Sequence, residues 1–370
     1  MKIILTGGGS GGHVIPLFAV ADAIIKEAGK QNLISPKLYF LSDDVYNEKM
    51  LFDRNIEYIH IPAGKKRTYF SIQNYFDIFI TLWGCIVAFV RMFLIYPDAV
   101  FAKGGYASFP TLLAARLLRI PVIVHESDTV PGRVTTWAGK FAARVALTFA
   151  EAAKYFNNNN IALTGQPILE SLLPSESFLR SLPDKRPIIL VTGGSQGAKA
   201  INDLILNSLP ELIKSYNIIH QCGDANIDEV VLRSQHILQG NPLESNYAVY
   251  GHMDFKDVYP NVDIAVARSG ATTLCELASW QIPSIFIPLP ISHANHQSLN
   301  AYNAKSAGWA RVIEESNLSS AILISEIDSI IHDAKMYSDM SEAAKNYNNK
   351  SASQIIASEI IRIAISHYAK

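Results

Sequence analysis

Cysteine is scarce in this 370-residue chain: Cys85, Cys222 and Cys275 stand far apart and form no CxxC pair. That excludes a disulfide framework or a cysteine-built zinc site, and free thiols in a reducing compartment are expected. Charge is scarce too, at 18% of residues against a usual share of about 25%. Lys+Arg 32 against Asp+Glu 33 leaves a net charge of −1, without the basic excess of a nucleic-acid binder, so no nucleic acid is expected as a partner. No apolar h-region with a small-residue cleavage site follows Met1-Lys2, so no targeting segment is expected. The longest charge-free apolar run, 78–90, has 13 residues. A span needs about 20, so no transmembrane helix is expected. Nor is there an Asp-x-Asp pair to hold a divalent ion against a diphosphate.

Hydrophobic residues make up 49% of the chain, enough to fill two sizeable cores. At roughly 150 residues per domain, the length predicts two or three domains. An internal repeat organises them. Ile3-Ile4-Leu5-Thr6-Gly7-Gly8-Gly9-Ser10-Gly11 returns as Ile188-Ile189-Leu190-Val191-Thr192-Gly193-Gly194-Ser195-Gln196-Gly197. Each copy leads from β-branched residues through a glycine loop into an amphipathic stretch, at 14–28 and 198–214, which predicts strand, turn and helix. Downstream, Asp98-Ala99-Val100-Phe101-Ala102-Lys103-Gly104-Gly105 matches Asp263-Ile264-Ala265-Val266-Ala267-Arg268-Ser269-Gly270. Both copies continue to an Ile-Pro pair and another apolar strand. Apolar strands alternating with helices predict an α/β chain of two Rossmann-like domains, their parallel sheets facing across a cleft. Asn157–Asn160, Pro174, Pro183 and Pro187 set the boundary within 157–187. The expected division is 1–163, 164–345 and a closing helix at 346–370.

Gly7–His13 follows a strand and opens a helix, where glycines let backbone approach a phosphate and helix N–H groups meet an anion. The string also fits G-x-G-x-x-G, with Asp43 as a ribose partner, so a dinucleotide site stays open. A P-loop does not, because His13 stands where lysine is required. The plain alternative is a tight turn without ligand. Gly193–Gly197 is the matching loop. Ser269, Thr272 and Thr273 can cap the helix begun by 268–276 or bind phosphate. Glu276, one turn in, can accept hydrogen bonds from a ribose diol or simply complement the helix dipole. His125-Glu126-Ser127-Asp128 follows a buried strand at the edge where open α/β sheets bind ligands, unless it only caps the next helix. His293 and His296 lack a third ligand, so no metal site is expected. Residues 69–96 are dense in large apolar groups, among them Tyr69, Phe70, Phe79, Trp83 and Phe93, and follow Lys65-Lys66-Arg67. That pattern suits a surface resting on anionic lipid, or a buried helix beside a solvated turn.

Six strings now stand in order: TGGGSGGH at 6–13, KGGYASFP at 103–110, HES at 125–127, GGSQGA at 193–198, RSGATTLCE at 268–276 and HQSLNA at 296–301. On these the sequence resembles the MurG family of peptidoglycan glycosyltransferases. The resemblance implies the GT-B fold and inverting transfer of N-acetylglucosamine from UDP-GlcNAc to the MurNAc 4-hydroxyl of lipid I, giving lipid II. It implies that the first domain serves the lipid-linked muramoyl-peptide acceptor, peripheral on the cytoplasmic membrane face, and that the second holds the donor. By resemblance, Ser10, Gly11 and Gly12 line the donor site from the first domain. Ser195 meets the diphosphate, the backbone of Met253 the uracil, and Ala271, Thr272, Thr273 and Leu274 the phosphates, with Cys275 beside them. Glu276 meets the ribose and Gln297 the sugar hydroxyls. Asp128, also near the donor, stands where the family usually has Asn. Leu169, in Gly165-Gln166-Pro167-Ile168-Leu169, stands where it usually has Arg. No cofactor or metal is implied. His13 is the expected general base, since neutral imidazole accepts a proton near pH 7; Glu126 and Asp128 are its rivals. The alternatives are an NAD-type oxidoreductase using the glycine loop and a non-catalytic nucleotide-binding membrane scaffold.

Overall fold

The computed structural model describes residues 1–8, 11–45, 47–64, 73–156, 160–174, 186–290 and 295–368. The chain divides into two compact units, Met1–Glu170 with Asn349–Lys370, and Ser171–Asn348. Residues 164–170 stay with the first unit for a local reason. The N–H groups of Thr164 and Gly165 donate to the Leu147 carbonyl at 2.9 and 3.1 Å. Ser353 Oγ, in the final helix Ala352–Tyr368, donates to the Ile168 carbonyl at 3.3 Å. That helix packs against Gly11–Lys30, so the chain end returns to the first unit.

The first unit carries β1 (Lys2–Thr6), β2 (Lys37–Ser42), β3 (Glu57–His60), β4 (Ala99–Ala102), β5 (Val122–Glu126), β6 (Arg144–Leu147) and β7 (Ile161–Leu163). All pair in parallel in the order β3-β2-β1-β4-β5-β6-β7. The second carries β8 (Ile188–Thr192), β9 (Asn217–Gln221), β10 (Tyr247–Tyr250), β11 (Ile264–Ala267), β12 (Ser284–Phe286) and β13 (Ala310–Val312), parallel in the order β10-β9-β8-β11-β12-β13. The central strands are buried on both faces, which is why they read as continuous apolar runs. Helix Lys199–Ser215 buries Ile201, Leu204, Ile205, Leu209 and Leu212 at helical spacing against its sheet. Each order reverses beside the first strand of its sheet, between β1 and β4 and between β8 and β11, and ligands bind at such switch points.

The repeat extends to single hydrogen bonds. Asp98 accepts the Lys2 N–H through its carboxylate at 2.7 Å, and Asp263 accepts the Ile188 N–H at 2.8 Å. In return the Asp98 N–H donates to the Lys2 carbonyl at 2.8 Å and the Asp263 N–H to the Ile188 carbonyl at 2.9 Å. A carboxylate before the fourth strand thus sets the register of the first.

One apolar helix is longer than the charge-free count of the sequence suggests. Helix Gln73–Ile95 is 23 residues long, and its stretch Asp77–Ile95, 19 residues, is long and apolar enough to cross a membrane. Counting charge-free residues stopped at Arg91, but the helix runs through it. Its small-residue edge packs on the first unit, with Ala88 and Met92 fully buried, while Phe79, Trp83, Phe93 and Leu94 are exposed. Lys65, Lys66, Arg67, Tyr69, Phe70, Asn157–Asn159 and Pro183 lie outside the described residues.

Asp263→Ala removes a charged acceptor from a strand N–H. It should cost about 1.5–3 kcal/mol, read as a lower urea midpoint for the second unit. An unchanged midpoint would mean that register is set by the strands alone.

Candidate functional site

In the first unit the candidate residues gather at the carboxyl ends of β1, β4 and β5. A Cβ on Gly8 would stand 2.7 Å from Ser42 Oγ and 2.9 Å from the Ala107 Cβ, so only glycine fits the turn after β1. Gly9 and Ser10 lie outside the described residues. Gly11, Gly12 and His13 begin helix Gly11–Lys30, where N–H groups have no intrahelical acceptor. His13 is half-buried in that first turn. Asp43 Oδ2 accepts the Tyr106 hydroxyl at 2.7 Å, so the carboxylate proposed for a dinucleotide ribose is already engaged.

Glu126, at the end of β5, is buried, and its carboxylate accepts three backbone N–H groups of the following loop. Oε1 takes Ser127 at 2.9 Å and Asp128 at 3.1 Å, and Oε2 takes Gly132 at 3.1 Å. Burial raises its pKa, as does the charge of Asp128, while the loop N–H groups and Lys103 pull it back. With both oxygens engaged by loop N–H groups, Glu126 organises the loop that presents half-buried Asp128.

Behind that loop lies a network the motif reading passed over. Lys103 is 2% exposed. Its ammonium donates to His125 Nδ1 at 2.7 Å, to Ser127 Oγ and to Gln166 Oε1 at 3.4 Å. Gln166 Oε1 also accepts Ser127 Oγ at 3.0 Å and Thr148 Oγ1 at 3.1 Å. An ammonium only donates, so His125 Nδ1 accepts and Nε2–H donates to the Gly165 carbonyl at 2.9 Å. Burial holds His125 neutral, with the Lys103 charge adding to it. Leu169, at the position of the family's usual Arg, is buried.

In the second unit the corresponding edge is formed after β8, β9 and β11. Gly197 has φ +73°, and a Cβ there would collide with the Cys222 carbonyl, which fixes the Gly193–Gly197 loop. Ser195 is exposed at its tip. Gln221, at the end of β9, joins this loop to the next. Its Nε2 donates to the Gly194 carbonyl at 3.2 Å, and its Oε1 accepts the Met253 N–H at 3.2 Å. Nothing in the motifs pointed to Gln221.

Helix Ala271–Ser279 starts directly after β11. Ala271, Thr272 and Thr273 supply its first N–H groups. The Leu274 N–H already bonds the Gly270 carbonyl at 3.0 Å, and the side chains of Leu274 and Cys275 are wholly buried. The side chains of those two belong to the core. Ser269 Oγ donates to the Gln297 carbonyl at 2.8 Å, and Asn300 Nδ2 to the Ser269 carbonyl at 3.3 Å, joining this helix terminus to that of His296–Ser306. Gln297 Oε1 accepts the Leu289 N–H at 3.1 Å. His293 lies outside the described residues.

Glu276 is buried, and its Oε2 accepts the Tyr259 hydroxyl at 2.7 Å. Burial pushes its carboxyl up to about 7; the Tyr259 bond lowers it and the charge of Asp254 raises it. At this edge of the second unit, helix-terminal N–H groups stand one turn before the buried acid Glu276.

Comparison with known proteins agrees with this layout. The Glycosyltransferase family 28 N-terminal domain matches residues 3–147 and the family 28 C-terminal domain residues 188–356. A Bacillus cereus protein, UDP-N-acetylglucosamine--N-acetylmuramyl-(pentapeptide) pyrophosphoryl-undecaprenol N-acetylglucosamine transferase 2, is 34% identical over 366 residues, covering 97% of this chain and 99% of its own. A Clostridium novyi protein of that name, without the final numeral, is 35% identical over 366 residues, 96% of each chain. Among solved structures, MurG of Acinetobacter baumannii superposes with a TM-score of 0.75 at 27% identity, covering 98% of this chain and 99% of that one. UDP-GlcNAc 2-epimerase from Neisseria meningitidis, bound to UDP-GlcNAc, gives 0.69 at 17% identity over 98% and 100%, a likeness of fold. With both family 28 domains in order and MurG-type relatives matched along nearly its whole length, the chain belongs to glycosyltransferase family 28, in its MurG branch.

Proposed function

We propose that this glycosyltransferase moves N-acetylglucosamine from UDP-GlcNAc to the MurNAc 4-hydroxyl of a lipid-linked muramoyl-peptide diphosphate, with inversion. The observation that carries the proposal is Glu276, a buried acid one turn behind helix-terminal N–H groups, in a chain 34% identical over 97% of its length to a protein named for this transfer. On this reading the second unit binds the donor. Ala271, Thr272, Thr273 and Ser195 meet the diphosphate, the Met253 backbone the uracil, Glu276 the ribose and Gln297 the sugar. Charge developing on UDP as it leaves is met by N–H groups and helix dipoles. The first unit binds the acceptor, with Gly11 and Gly12 opening its first helix and His13 taking the hydroxyl proton. No observation favours the NAD-type or the non-catalytic reading.

The acceptor cannot leave the bilayer, so its enzyme must come to the surface. Helix Gln73–Ile95 supports docking in the interface on the cytoplasmic face. Phe79, Trp83 and Phe93 are exposed on it, and buried area contributes about 25 cal/mol per Å². Arg91, in the helix, and Arg116, in the helix Phe109–Leu117 packed beside it, are exposed cations that add to Lys65, Lys66 and Arg67 at anionic lipid.

Glu276→Ala should raise the donor KM about 10- to 150-fold, the loss of charge-assisted hydrogen bonds. An unchanged KM for UDP-GlcNAc would remove Glu276 from the site. His13→Ala should lower kcat at saturating donor and acceptor by about 10²–10⁴. If only KM moves, His13 binds substrate and Asp128 becomes the candidate base. The triple variant Phe79→Ser, Trp83→Ser, Phe93→Ser should lose sedimentation with anionic vesicles yet keep activity on a water-soluble acceptor analogue. Neutralising Lys65, Lys66 and Arg67 to Gln should weaken sedimentation only at low salt. Undiminished binding by the triple variant would assign docking to another surface.

A further inference from the structure

We infer that Tyr259 is a positioning residue for donor binding, its phenol holding the Glu276 carboxylate in place for the ribose. The inference rests on the reading of Glu276 as the ribose acceptor, and adds to it a residue that no motif contains.

The geometry comes first. Tyr259 opens the short turn Tyr259–Asn261 before β11 and is fully buried. Its ring stacks on Phe255, centroids 5.0 Å apart at 19°, and tilts against Trp280 at 6.4 Å and 36°. Trp280 is fixed in turn, its indole N–H donating to the Leu172 carbonyl at 2.7 Å. A ring enclosed in this way does not swing, so its hydroxyl holds Glu276 Oε2 at a set point, 2.7 Å away. That bond stops rotation of the carboxylate and leaves Oε1 for a ribose hydroxyl.

The charge follows from the same contact. A buried carboxyl favours its neutral form, and a donor to the charged form opposes this. Burial and the neighbouring acid drive the Tyr259 hydroxyl well above its usual ionisation range, so it remains a donor at every working pH. Asp254 is the other ionisable group whose charge acts on Glu276, and it opposes ionisation. The carboxylate accepts charge-assisted hydrogen bonds from a ribose diol, and protonation removes that charge and one acceptor oxygen. Donor KM should therefore be constant above a break near 7 and rise tenfold per pH unit below it. Removing the phenol removes help to the charged form, so the break must move up.

The test is the pH profile of the donor KM, with kcat measured in parallel. Tyr259→Phe keeps the ring and deletes the donor. Its break should rise by about one pH unit and its KM at pH 7 about fivefold, while KM at pH 9 approaches wild type and kcat stays within about twofold. Replacing Tyr259 with 3,5-difluorotyrosine keeps the contacts and strengthens the donor, so the break should fall; this arm serves if the Phe variant does not fold. Calorimetric titration with UDP should show the same shifts in affinity. A KM raised equally at all pH values, or a break unmoved in both variants, would reduce Tyr259 to packing and overturn the inference. Glu276→Ala separates the two claims. A raised, pH-independent KM keeps the ribose reading whatever Tyr259 does, and a wild-type KM removes that reading by itself.

Discussion

Both candidate sites depend on a buried cation at the end of the fourth strand of each sheet. Lys103 follows β4 and Arg268 follows β11, at matching places in the repeat. Their N–H groups donate to the last carbonyls of the first strands, Thr6 at 3.0 Å and Thr192 at 3.2 Å. A buried charge is tolerated only when hydrogen bonds replace its water, and each finds them at the end of the next strand. Arg268 forks onto the carbonyls of Ile287 at 3.0 Å and Pro288 at 3.1 Å and pairs with Glu315 at 2.7 Å. Lys103, a point charge without the fork, takes His125 and Ser127 instead. The outcome is the same: the turn leaving the fifth strand is fixed by the residue ending the fourth. In the first unit that turn holds Glu126 to Asp128, and in the second it leads to the Gln297 region.

Two buried glutamates serve these edges in opposite ways. Glu126 is surrounded by N–H groups of its own loop, so its charge shapes the backbone and has little capacity left for a substrate. Glu276 accepts the Tyr259 hydroxyl through Oε2, and one such bond does not fill a carboxylate. The same chemistry, a carboxylate short of water, organises a loop where the loop's own donors meet it, and suits the proposed recognition role where they are fewer. The number of donors, not the residue type, separates the roles.

The sheets were legible because a strand buried on both faces has to be apolar along its length, and the repeat gave the order of elements twice. The glycine turns were legible because close backbone approach at Gly8 and Gly197 leaves no room for a Cβ. The identity of the site helix was legible at 268–276, but not which of its residues face a ligand. Leu274 and Cys275 turn inward because the fourth and fifth positions of a helix lie over the sheet and their N–H groups are already bonded. Tyr259 and Gln221 were invisible because their partners, Glu276 and Met253, are 17 and 32 residues away in sequence. Lys103 stood inside a quoted motif, and aligning it with Arg268 in the repeat would have marked it. The role of Glu126 in its loop was not legible, because only the loop path brings the Gly132 N–H to its carboxylate.

Helix Gln73–Ile95 shows how a chain can pass a length test for spanning and still be built for a surface. Gly84, Ala88 and Met92, spaced by four, form one edge, and a Cβ on Gly84 would collide with the Pro62 carbonyl, so the helix lies against the first unit there. Thr81 Oγ1 adds a tie, accepting the Gly64 N–H at 3.0 Å while donating to the Asp77 carbonyl at 2.7 Å. Crossing a bilayer would require the small-residue edge to leave this contact and meet lipid with little side chain to offer. Under the proposed docking, the edge would keep its protein partners while Phe79, Trp83 and Phe93 entered the acyl boundary. Arg91 can then reach the headgroup level by its long stem, at far lower cost than a charge held at the bilayer centre. The helix thus has one edge of small residues packed on protein and one exposed apolar face, and the proposed docking is the arrangement that keeps both.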